Sequence, residues 1–168
     1  MVGVEKGRRT AMLSIVFICT GNTCRSPMAE WISKQIIAEL QLQDHVRVSS
    51  AGVAAWGGSE LSEGSKRALL RRQLPESSAH LARLVDESIL AEADLVLTMA
   101  ESHRRVLIEK HPQYQTKIYN LLAYATGNFG DIADPFGGDD ESYEQAAKQI
   151  EAACRELLVK IEAQLGKS

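Results

Sequence analysis

The fold is decided by the stretch LSIVFICTGNTCRSP, residues 13–27. Its mostly apolar and β-branched beginning, Leu13 to Cys19, stops at a turn that contains Gly21, which is typical of a buried strand entering a loop. A helix is predicted directly after the loop, with Ser26 as its N-cap and Pro27 at its first position. Apolar residues then recur at helical spacing, at Met28, Trp31, Ile32, Ile36 and Leu40. Strand, loop and helix are therefore expected to be contiguous.

The rest of the chain alternates between strand and helix patterns. Further strands are predicted at residues 46–51, 93–98 and 117–122. Helices are predicted at 61–72, at 100–110 and from about Asp139 onward, where one apolar stripe contains Tyr143, Ala147, Ile150, Cys154, Leu157, Ile161 and Leu165. Such alternation predicts an α/β fold with a parallel sheet, helices on both faces and ligands bound at the carboxyl ends of the strands. The loop after Cys19 is expected at such an end.

The composition indicates one globular domain. The chain has 168 residues, of which 45% are hydrophobic and 24% charged, and its net charge of -3 argues against a general affinity for nucleic acid. The longest apolar stretches are far below the roughly 18 residues needed to span a bilayer, so no membrane segment is predicted. Residues 1–11 are interpreted as a disordered extension or an alternative start before Met12, and residues 12–168 as a single domain. Because no long exposed apolar seam is evident, we expect a monomer.

The cysteines indicate a reducing compartment. Three cysteines cannot all pair, and none has the CxxC spacing of a metal site, so a secreted disulfide scaffold is not expected. We therefore expect a cytoplasmic protein. Cys154 falls on the apolar stripe of the last helix and is interpreted as a core residue. The histidines, which show neither metal spacing nor a catalytic partner and receive no predicted role, are His45, His80, His103 and His111.

The segment from Cys19 to Arg25, called the phosphate loop below, places five small or polar residues between a cysteine and an arginine, directly before a helix. A bound phosphate explains this pattern, because successive backbone N–H groups can point into one concavity at the positive end of the helix. The residues that contribute them are Thr20, Gly21, Asn22, Thr23, Cys24 and Arg25. The guanidinium of Arg25 can also hold two phosphate oxygens. The same positive field favours a thiolate at Cys19, which predicts a nucleophile rather than a buried cysteine at a strand end.

Other side chains of this segment receive further predicted roles. Gly21 and Asn22 best tolerate the positive φ that a tight anion-binding loop needs, and the Asn22 amide can tie the loop together. The Ser26 hydroxyl either donates a hydrogen bond to the Cys19 thiolate, which makes the sulfur a better leaving group, or only caps the helix. Cys24 can form a reversible disulfide with Cys19 that protects the nucleophile; the alternative is a small buried loop filler.

Phosphoryl transfer also needs an acid for the leaving group, and a glycine-rich acidic stretch at residues 125–138, called the acid loop below, is predicted to supply it. Asp134 is the favoured candidate because the proline that follows it fixes the backbone, and Asp131 is the weaker one. The alternative interpretation is an ordinary turn before the last helix that leaves the Asp134 carboxylate exposed.

At these residues the sequence resembles the low-molecular-weight protein tyrosine phosphatase family. The resemblance covers the chain from about Met12 onward and rests on residues 19–27, 50–52, 93–99 and 134–135. It implies a three-layer α/β sandwich with a four-stranded parallel sheet. It also implies a phosphocysteine on Cys19, phosphate binding by Arg25, and Asp134 as the acid that then activates water. It implies no metal or other cofactor.

The stretch CTGNTCRSP followed later by DPFGG looks like the bacterial protein arginine phosphatase branch, where Thr23 stands in place of an aliphatic residue. Thr23 narrows the pocket and can hold a water, and Asp134 can receive a guanidinium, so phosphoarginine in proteins is the favoured substrate. Phosphotyrosine in proteins is the alternative. Its phenyl ring would pack against aromatic side chains at the sides of the pocket, for which Phe136 and Trp56 are the candidates.

Three other classes of protein fit less well. An arsenate reductase on this fold needs a resolving cysteine downstream, and none occurs between Cys24 and Cys154. A phosphopeptide-binding module needs no acid, yet a nucleophile, an arginine, a serine and Asp134 occur together. A redox sensor that uses Cys19 and Cys24 would not depend on Asp134.

Overall fold

A computed structural model describes residues 11–166, which form a four-stranded sheet covered by helices. The strands are β1 (Leu13–Cys19), β2 (Val46–Gly52), β3 (Leu95–Thr98) and β4 (Ile118–Asn120). All neighbouring strands are parallel, in the order β2-β1-β3-β4. Central β1 pairs with β2 along its whole length, so the two strands end side by side. Residues 1–10 of the predicted N-terminal extension lie outside the described residues.

Helices connect and cover the strands. The α-helices of the described residues are α1 (Arg25–Glu39), α2 (Glu63–Arg71), α3 (Glu87–Glu92), α4 (Glu101–Lys110), α5 (Leu121–Thr126) and α6 (Asp140–Gly166). Two 3₁₀ helices, Pro75–Ala79 and Pro112–Lys117, lie in the connections. The short α3 and α5 were not predicted, because a helix of six residues is too brief to display a period.

Central β1 is buried on both faces, as a strand must be when helices cover both sides of a parallel sheet. Ile15 and Phe17 belong to the larger core, which includes residues of α1 and α6. Val16 and Ile18 belong to a second core together with Leu107 of α4. Alternate residues of one strand therefore enter two separate cores. The predicted three-layer α/β sandwich with a four-stranded parallel sheet is confirmed.

The ends of two strands differ from the prediction because neighbouring short helices take their residues. The fourth strand stops at Asn120 instead of residue 122, since Asn120 Oδ1 accepts a hydrogen bond from Ala123 N (3.0 Å) and thereby caps α5. The third strand begins at Leu95 instead of residue 93, since Ala93 is the C-terminal cap of α3. A neighbouring helix cap therefore shortens the fourth strand at its end and the third strand at its beginning.

Helix α6 is the long amphipathic helix that the periodicity predicts. It packs against α1 and α2, and its predicted stripe is buried from Tyr143 to Ile161. Leu165 is the exception, since 40% of it is exposed near the end of the helix. Helices α2 and α4 begin slightly later than predicted, at Glu63 and Glu101. None of the helices within residues 11–166 is long and apolar enough to cross a membrane.

A cluster of ion pairs joins α2 to the start of α6. Glu144 accepts hydrogen bonds from Arg72 Nη1 at 2.6 Å and from Arg71 Nε at 3.1 Å. The hydrogen bond from Arg72 is the main reason why the pKa of Glu144 falls to about 2. Arg67 Nε donates to Asp140 Oδ1 at 2.8 Å. Because α6 directly follows the acid loop, these pairs fix the far end of that loop.

Candidate active site

The phosphate loop lies between β1 and α1, at the carboxyl edge of the sheet, and borders a cavity of about 220 Å³. The residues that line this cavity are Cys19, Thr20, Gly21, Thr23, Cys24, Arg25, Asp134 and Phe136. The chain segments that carry the predicted nucleophile and the predicted acid are more than a hundred residues apart in sequence. The fold therefore brings the phosphate loop and the acid loop to one cavity.

Asn22 holds the phosphate loop together from inside and does not line the cavity. It is fully buried with a φ of 58°, a left-handed conformation that Asn tolerates better than most residues. Its Nδ2 donates to Ser26 Oγ and Ser50 Oγ, both at 2.9 Å, and its Oδ1 accepts from Arg83 N at 3.0 Å. The predicted tie through the amide is confirmed. The positive φ predicted for Gly21 is wrong, because only Asn22 adopts one in this loop.

Gly52, at the end of β2, allows the strand to approach the phosphate loop closely. A Cβ at this position would collide with the carbonyl oxygen of Thr20 and lie only 2.9 Å from the amide nitrogen of Asn22. Just beyond Gly52, Ala54 N donates to that Thr20 carbonyl at 2.9 Å. A side chain at Gly52 would push the strand away, so this glycine is required for the shape of the site.

Cys19 and Ser26 make direct contact, with 2.9 Å between Sγ and Oγ. Ser26 Oγ already accepts a hydrogen bond from Asn22 Nδ2, so its own proton is available to the sulfur; a second acceptor, Ala51 O, lies farther away at 3.4 Å. Helix α1 begins at Arg25 and has no side-chain N-cap, so the predicted capping role of Ser26 is wrong. The hydroxyl instead contacts the Cys19 sulfur, as its other predicted role requires.

Arg25 joins the two loops. Its side chain is almost fully buried, Nη1 donates to Ile132 O at 3.1 Å, and Nη2 lies 3.4 Å from Asp134 Oδ2. These contacts hold the guanidinium at the cavity that Cys19 also lines. A fixed positive group at this place is what the stabilisation of a phosphoryl group in its transition state needs.

Asp134 stands at the mouth of the cavity, with 53% of its side chain exposed. Its Oδ1 accepts a hydrogen bond from Phe136 N at 3.1 Å, so the residue also forms the ordinary turn of the alternative interpretation. Asp131 does not line the cavity, and its Oδ1 accepts from Glu101 N at 2.9 Å. The geometry therefore favours Asp134 over Asp131 as the acid.

Comparison with known proteins agrees with this arrangement. The family described as Low molecular weight phosphotyrosine protein phosphatase matches residues 14–167. The chain belongs to this family. With the predicted nucleophile, the phosphate loop and the predicted acid at one cavity, it is a cysteine-dependent protein phosphatase.

Relatives of this phosphatase carry two named specificities. The protein-arginine-phosphatase of Bacillus subtilis is 37% identical over 145 residues, which cover 86% of this chain and 94% of the relative. The low molecular weight protein-tyrosine-phosphatase PtpB of Staphylococcus haemolyticus is 37% identical over 138 residues, which cover 82% and 92%. Among solved structures, a YwlE arginine phosphatase whose active-site cysteine is replaced by a phosphorylated serine matches with a TM-score of 0.83 and 35% identity, covering 92% of this chain and 97% of that chain.

Two histidines without a predicted role contact the phosphate loop of this phosphatase. His80 Nε2 lies 2.9 Å from Asn22 O, and His103 Nε2 lies 2.9 Å from Thr20 Oγ1. Burial and the nearby charge of Arg25 lower the pKa of His103 to about 4. The partners are 58 and 83 residues apart in sequence, so no local pattern indicates either contact. The one signal in the sequence is that His103 comes shortly after the third strand, at the sheet edge where the phosphate loop is expected.

The cysteines of the phosphatase within residues 11–166 are all free thiols. Cys24 Sγ lies 3.2 Å from Ser62 Oγ and 3.6 Å from Tyr143 OH, at the border of the cavity. Cys154 is fully buried in the larger core, and burial raises the pKa of its thiol to about 12. The interpretation of Cys154 as a core residue is therefore confirmed.

The structure brings only one of the two predicted aromatic flanks to the phosphatase cavity. Phe136 lines it and is largely exposed at the mouth. Trp56 is 84% exposed and does not line the cavity; it lies in a turn that Ser59 N closes onto Trp56 O at 3.1 Å. Across the part of the chain that the structure describes, no group of three or more His, Cys, Asp or Glu side chains is placed to hold a metal ion.

Proposed function

We propose that this phosphatase hydrolyses phosphoarginine in proteins, through a phosphocysteine intermediate on Cys19. The proposal rests on the lining of the cavity: a half-buried Thr23, the exposed Asp134 carboxylate and, of the residues described, a single aromatic ring, that of Phe136. A phosphorylated guanidinium offers N–H donors and positive charge to the carboxylate. A phenyl ring offers neither and gains from aromatic walls instead. The polar lining therefore supports the guanidinium.

In the first step the Cys19 thiolate attacks phosphorus, the P–S bond forms and the P–N bond breaks. Asp134, in its protonated form, gives its proton to the leaving guanidine nitrogen and becomes a carboxylate. Arg25 and the backbone N–H groups of the phosphate loop hold the phosphoryl oxygens as charge builds on them. Arginine and a phosphocysteine are the products of this step.

In the second step water attacks the phosphocysteine, and the Asp134 carboxylate takes up a proton from that water. The P–S bond breaks, inorganic phosphate forms, and Cys19 leaves as a thiolate. The Ser26 hydroxyl, 2.9 Å from the sulfur, donates its hydrogen bond to the negative charge that appears there. The thiolate and the protonated acid are then ready for another cycle.

Phosphotyrosine is the second candidate substrate. It is favoured by the largely exposed ring of Phe136 at the mouth, which offers one face to a phenyl group, and by the similarity to a protein-tyrosine-phosphatase. The two substrates share the chemistry at Cys19 and differ in the leaving group.

Thr23→Ile is expected to shift the preference from phosphoarginine towards phosphotyrosine, on the order of 10- to 100-fold in the ratio of the two kcat/KM values. Isoleucine keeps the β-branched shape but replaces the hydroxyl in the cavity wall by an apolar group, which suits an aromatic ring better than a guanidinium. The measurement is phosphate release from matched phosphoarginine and phosphotyrosine peptides under reducing conditions.

Thr116→Ile serves as the matched control, because Thr116 is exposed and does not line the cavity. It should leave the ratio unchanged. A wild-type protein that prefers the phosphotyrosine peptide would contradict the phosphoarginine proposal while leaving the Cys19 mechanism in place. A ratio that does not move in Thr23→Ile would remove Thr23 as the specificity residue.

We also propose that the protein works as a monomer in the reducing cytoplasm and that Cys24 protects its nucleophile. The free thiols of Cys19 and Cys24 within one loop support this proposal. Hydrogen peroxide oxidises the Cys19 thiolate to a sulfenic acid; attack by the Cys24 sulfur then forms a disulfide and releases water. A thiol reductant restores both thiols.

Cys24→Ser is expected to convert reversible peroxide inactivation into permanent loss. Wild-type protein treated with peroxide and then with a dithiol should recover most of its activity, whereas the variant should accumulate sulfinic acid at Cys19. Cys154→Ala, altered at the buried core thiol, should recover like the wild type. Wild-type protein that shows stable sulfinic acid and no Cys19–Cys24 disulfide peptide by mass spectrometry would refute the protective role.

A further inference from the structure

His103 is a buried imidazole in the first turn of α4 that reaches the phosphate loop. Its exposed fraction is 3%, its Nδ1 accepts a hydrogen bond from Ala100 N at 3.1 Å, and its Nε2 lies 2.9 Å from Thr20 Oγ1. A neutral imidazole carries one proton, on one of its two nitrogens. Because Nδ1 is occupied as an acceptor, that proton is on Nε2. His103 is therefore the donor in its contact with Thr20.

Burial and a neighbouring positive charge keep the ring of His103 neutral. Burial and the positive charge of Arg25 lower its pKa to about 4, while the carboxylates of Asp131 and Asp134 oppose this effect more weakly. The ring is thus neutral at pH 7, and the direction of the hydrogen bond to Thr20 does not change near neutrality.

The hydroxyl of Thr20 is left with an unused proton. One of its lone pairs accepts from His103, and no other described residue forms a hydrogen bond with Thr20 Oγ1. Thr20 is exposed, lines the cavity and directly follows Cys19. A threonine hydroxyl has one proton to donate and two lone pairs that accept hydrogen bonds. Because the fixed ring of His103 occupies one lone pair, the hydroxyl can turn its proton towards a molecule in the cavity.

We propose that His103 is a positioning residue that orients the Thr20 hydroxyl as an additional donor to a phosphoryl oxygen of the substrate. The backbone N–H groups and Arg25 form the main cradle, and Thr20 adds one charge-assisted hydrogen bond that depends on His103. The inference rests on the phosphatase site proposed above but not on the identity of the phosphorylated side chain.

The proposal differs in a measurable way from a role in packing alone. A residue that only fills space and binds Ala100 N would, when replaced, lower the melting temperature without changing the affinity for an anion. A residue that acts through Thr20 would change the affinity for the anion, and only while the Thr20 hydroxyl is present. Inorganic phosphate is therefore a suitable probe, because it contains the oxygens in question and no leaving group.

The experiment measures the melting temperature of each variant over a series of inorganic phosphate concentrations, which yields the dissociation constant from the rise in Tm. Thr20→Val removes the hydroxyl at nearly constant shape and is expected to weaken phosphate binding roughly 10-fold or more. Thr20→Ser retains the hydroxyl and should restore most of the affinity. His103→Leu should weaken binding to a similar extent as Thr20→Val, whereas the matched control His45→Leu, altered at an exposed histidine, should bind as the wild type does.

The double variant Thr20→Val/His103→Leu separates the two explanations, since residues that act as one unit show non-additive effects. We expect it to bind phosphate no more weakly than Thr20→Val alone. The proposal would be overturned if Thr20→Val bound phosphate as tightly as the wild type does. It would also be overturned if the loss of phosphate affinity in the double variant equalled the product of the losses in the two single variants. A His103→Leu protein that melts earlier yet keeps the wild-type phosphate affinity would likewise overturn it. None of these results depends on phosphoarginine, so a failure of the substrate assignment is detected separately by the peptide assay.

Discussion

Cys19→Ser is expected to abolish turnover, with a fall in kcat on the order of 10⁴-fold or more, as for the loss of other enzyme nucleophiles. Serine fits the space beside Ser26, but its hydroxyl is not ionised at neutral pH, and no base among the described residues contacts position 19 to remove its proton. The backbone cradle and Arg25 remain intact. The measurement is phosphate release combined with calorimetric binding of a phosphorylated peptide, for which the affinity should stay within a few-fold of the wild type.

Cys24→Ser is the control for this experiment, because it makes the same change elsewhere in the same loop and should leave most of the activity under reducing conditions. The solved relative with a phosphorylated serine at its active-site position suggests a second readout, slow accumulation of one phosphoryl group on the Cys19→Ser protein, detectable by intact mass. Residual turnover near the wild-type rate would eliminate Cys19 as the nucleophile and reopen the possibility of a binding module.

Asp134→Asn should lower kcat by about 10²- to 10⁴-fold for substrates with a poor leaving group. Asparagine has the same shape and can still accept the hydrogen bond from Phe136 N, so the turn is preserved while the transferable proton is lost. An aryl phosphate whose phenol leaves readily needs little protonation, and its loss should be much smaller. The dependence of the loss on the leaving group is therefore the signature to measure.

Asp131→Asn is the matched control for the acid. Its side chain can still accept from Glu101 N, and it does not line the cavity, so kcat should change little. A larger loss in Asp131→Asn than in Asp134→Asn would exchange the roles of the two residues. Equal losses for good and poor leaving groups in Asp134→Asn would mean that Asp134 acts through its charge near Arg25 rather than as an acid.

The segment proposed to be catalytic could be recognised from the sequence because its geometry is local. Cys19 and Arg25 belong to a single strand, loop and helix, so their relation depends on a few consecutive backbone angles and on the helix end. The alternation of strands and helices likewise predicted the parallel sheet and the edge where the loop lies. Asp134 could be proposed as the acid from the chemistry of its side chain, but its contact with Arg25 could be found only from the three-dimensional structure.

The contacts that support the phosphate loop could not be predicted from the sequence, because they join elements that are distant along the chain. Gly52, His80, Arg83 and His103 approach the loop from β2, from the connection after α2 and from α4. The sequence left two roles open for Ser26, a hydrogen bond to the Cys19 thiolate or the capping role that serine before proline at a helix start has by default. The contacts of its hydroxyl with Cys19 Sγ and Asn22 Nδ2 decide against the capping role.

The buried Asn22 carries a consequence for the speed of substrate capture. Its side chain and carbonyl bind Ser26, Ser50, His80 and Arg83, so the loop acquires its shape when the protein folds. The conformational entropy lost in ordering that backbone therefore lowers the stability of the fold and is not a cost of substrate binding. The phosphate loop thus has its binding conformation before a phosphorylated side chain arrives, and no rearrangement of the loop precedes binding. Association should accordingly be limited by diffusion and orientation of the partner protein.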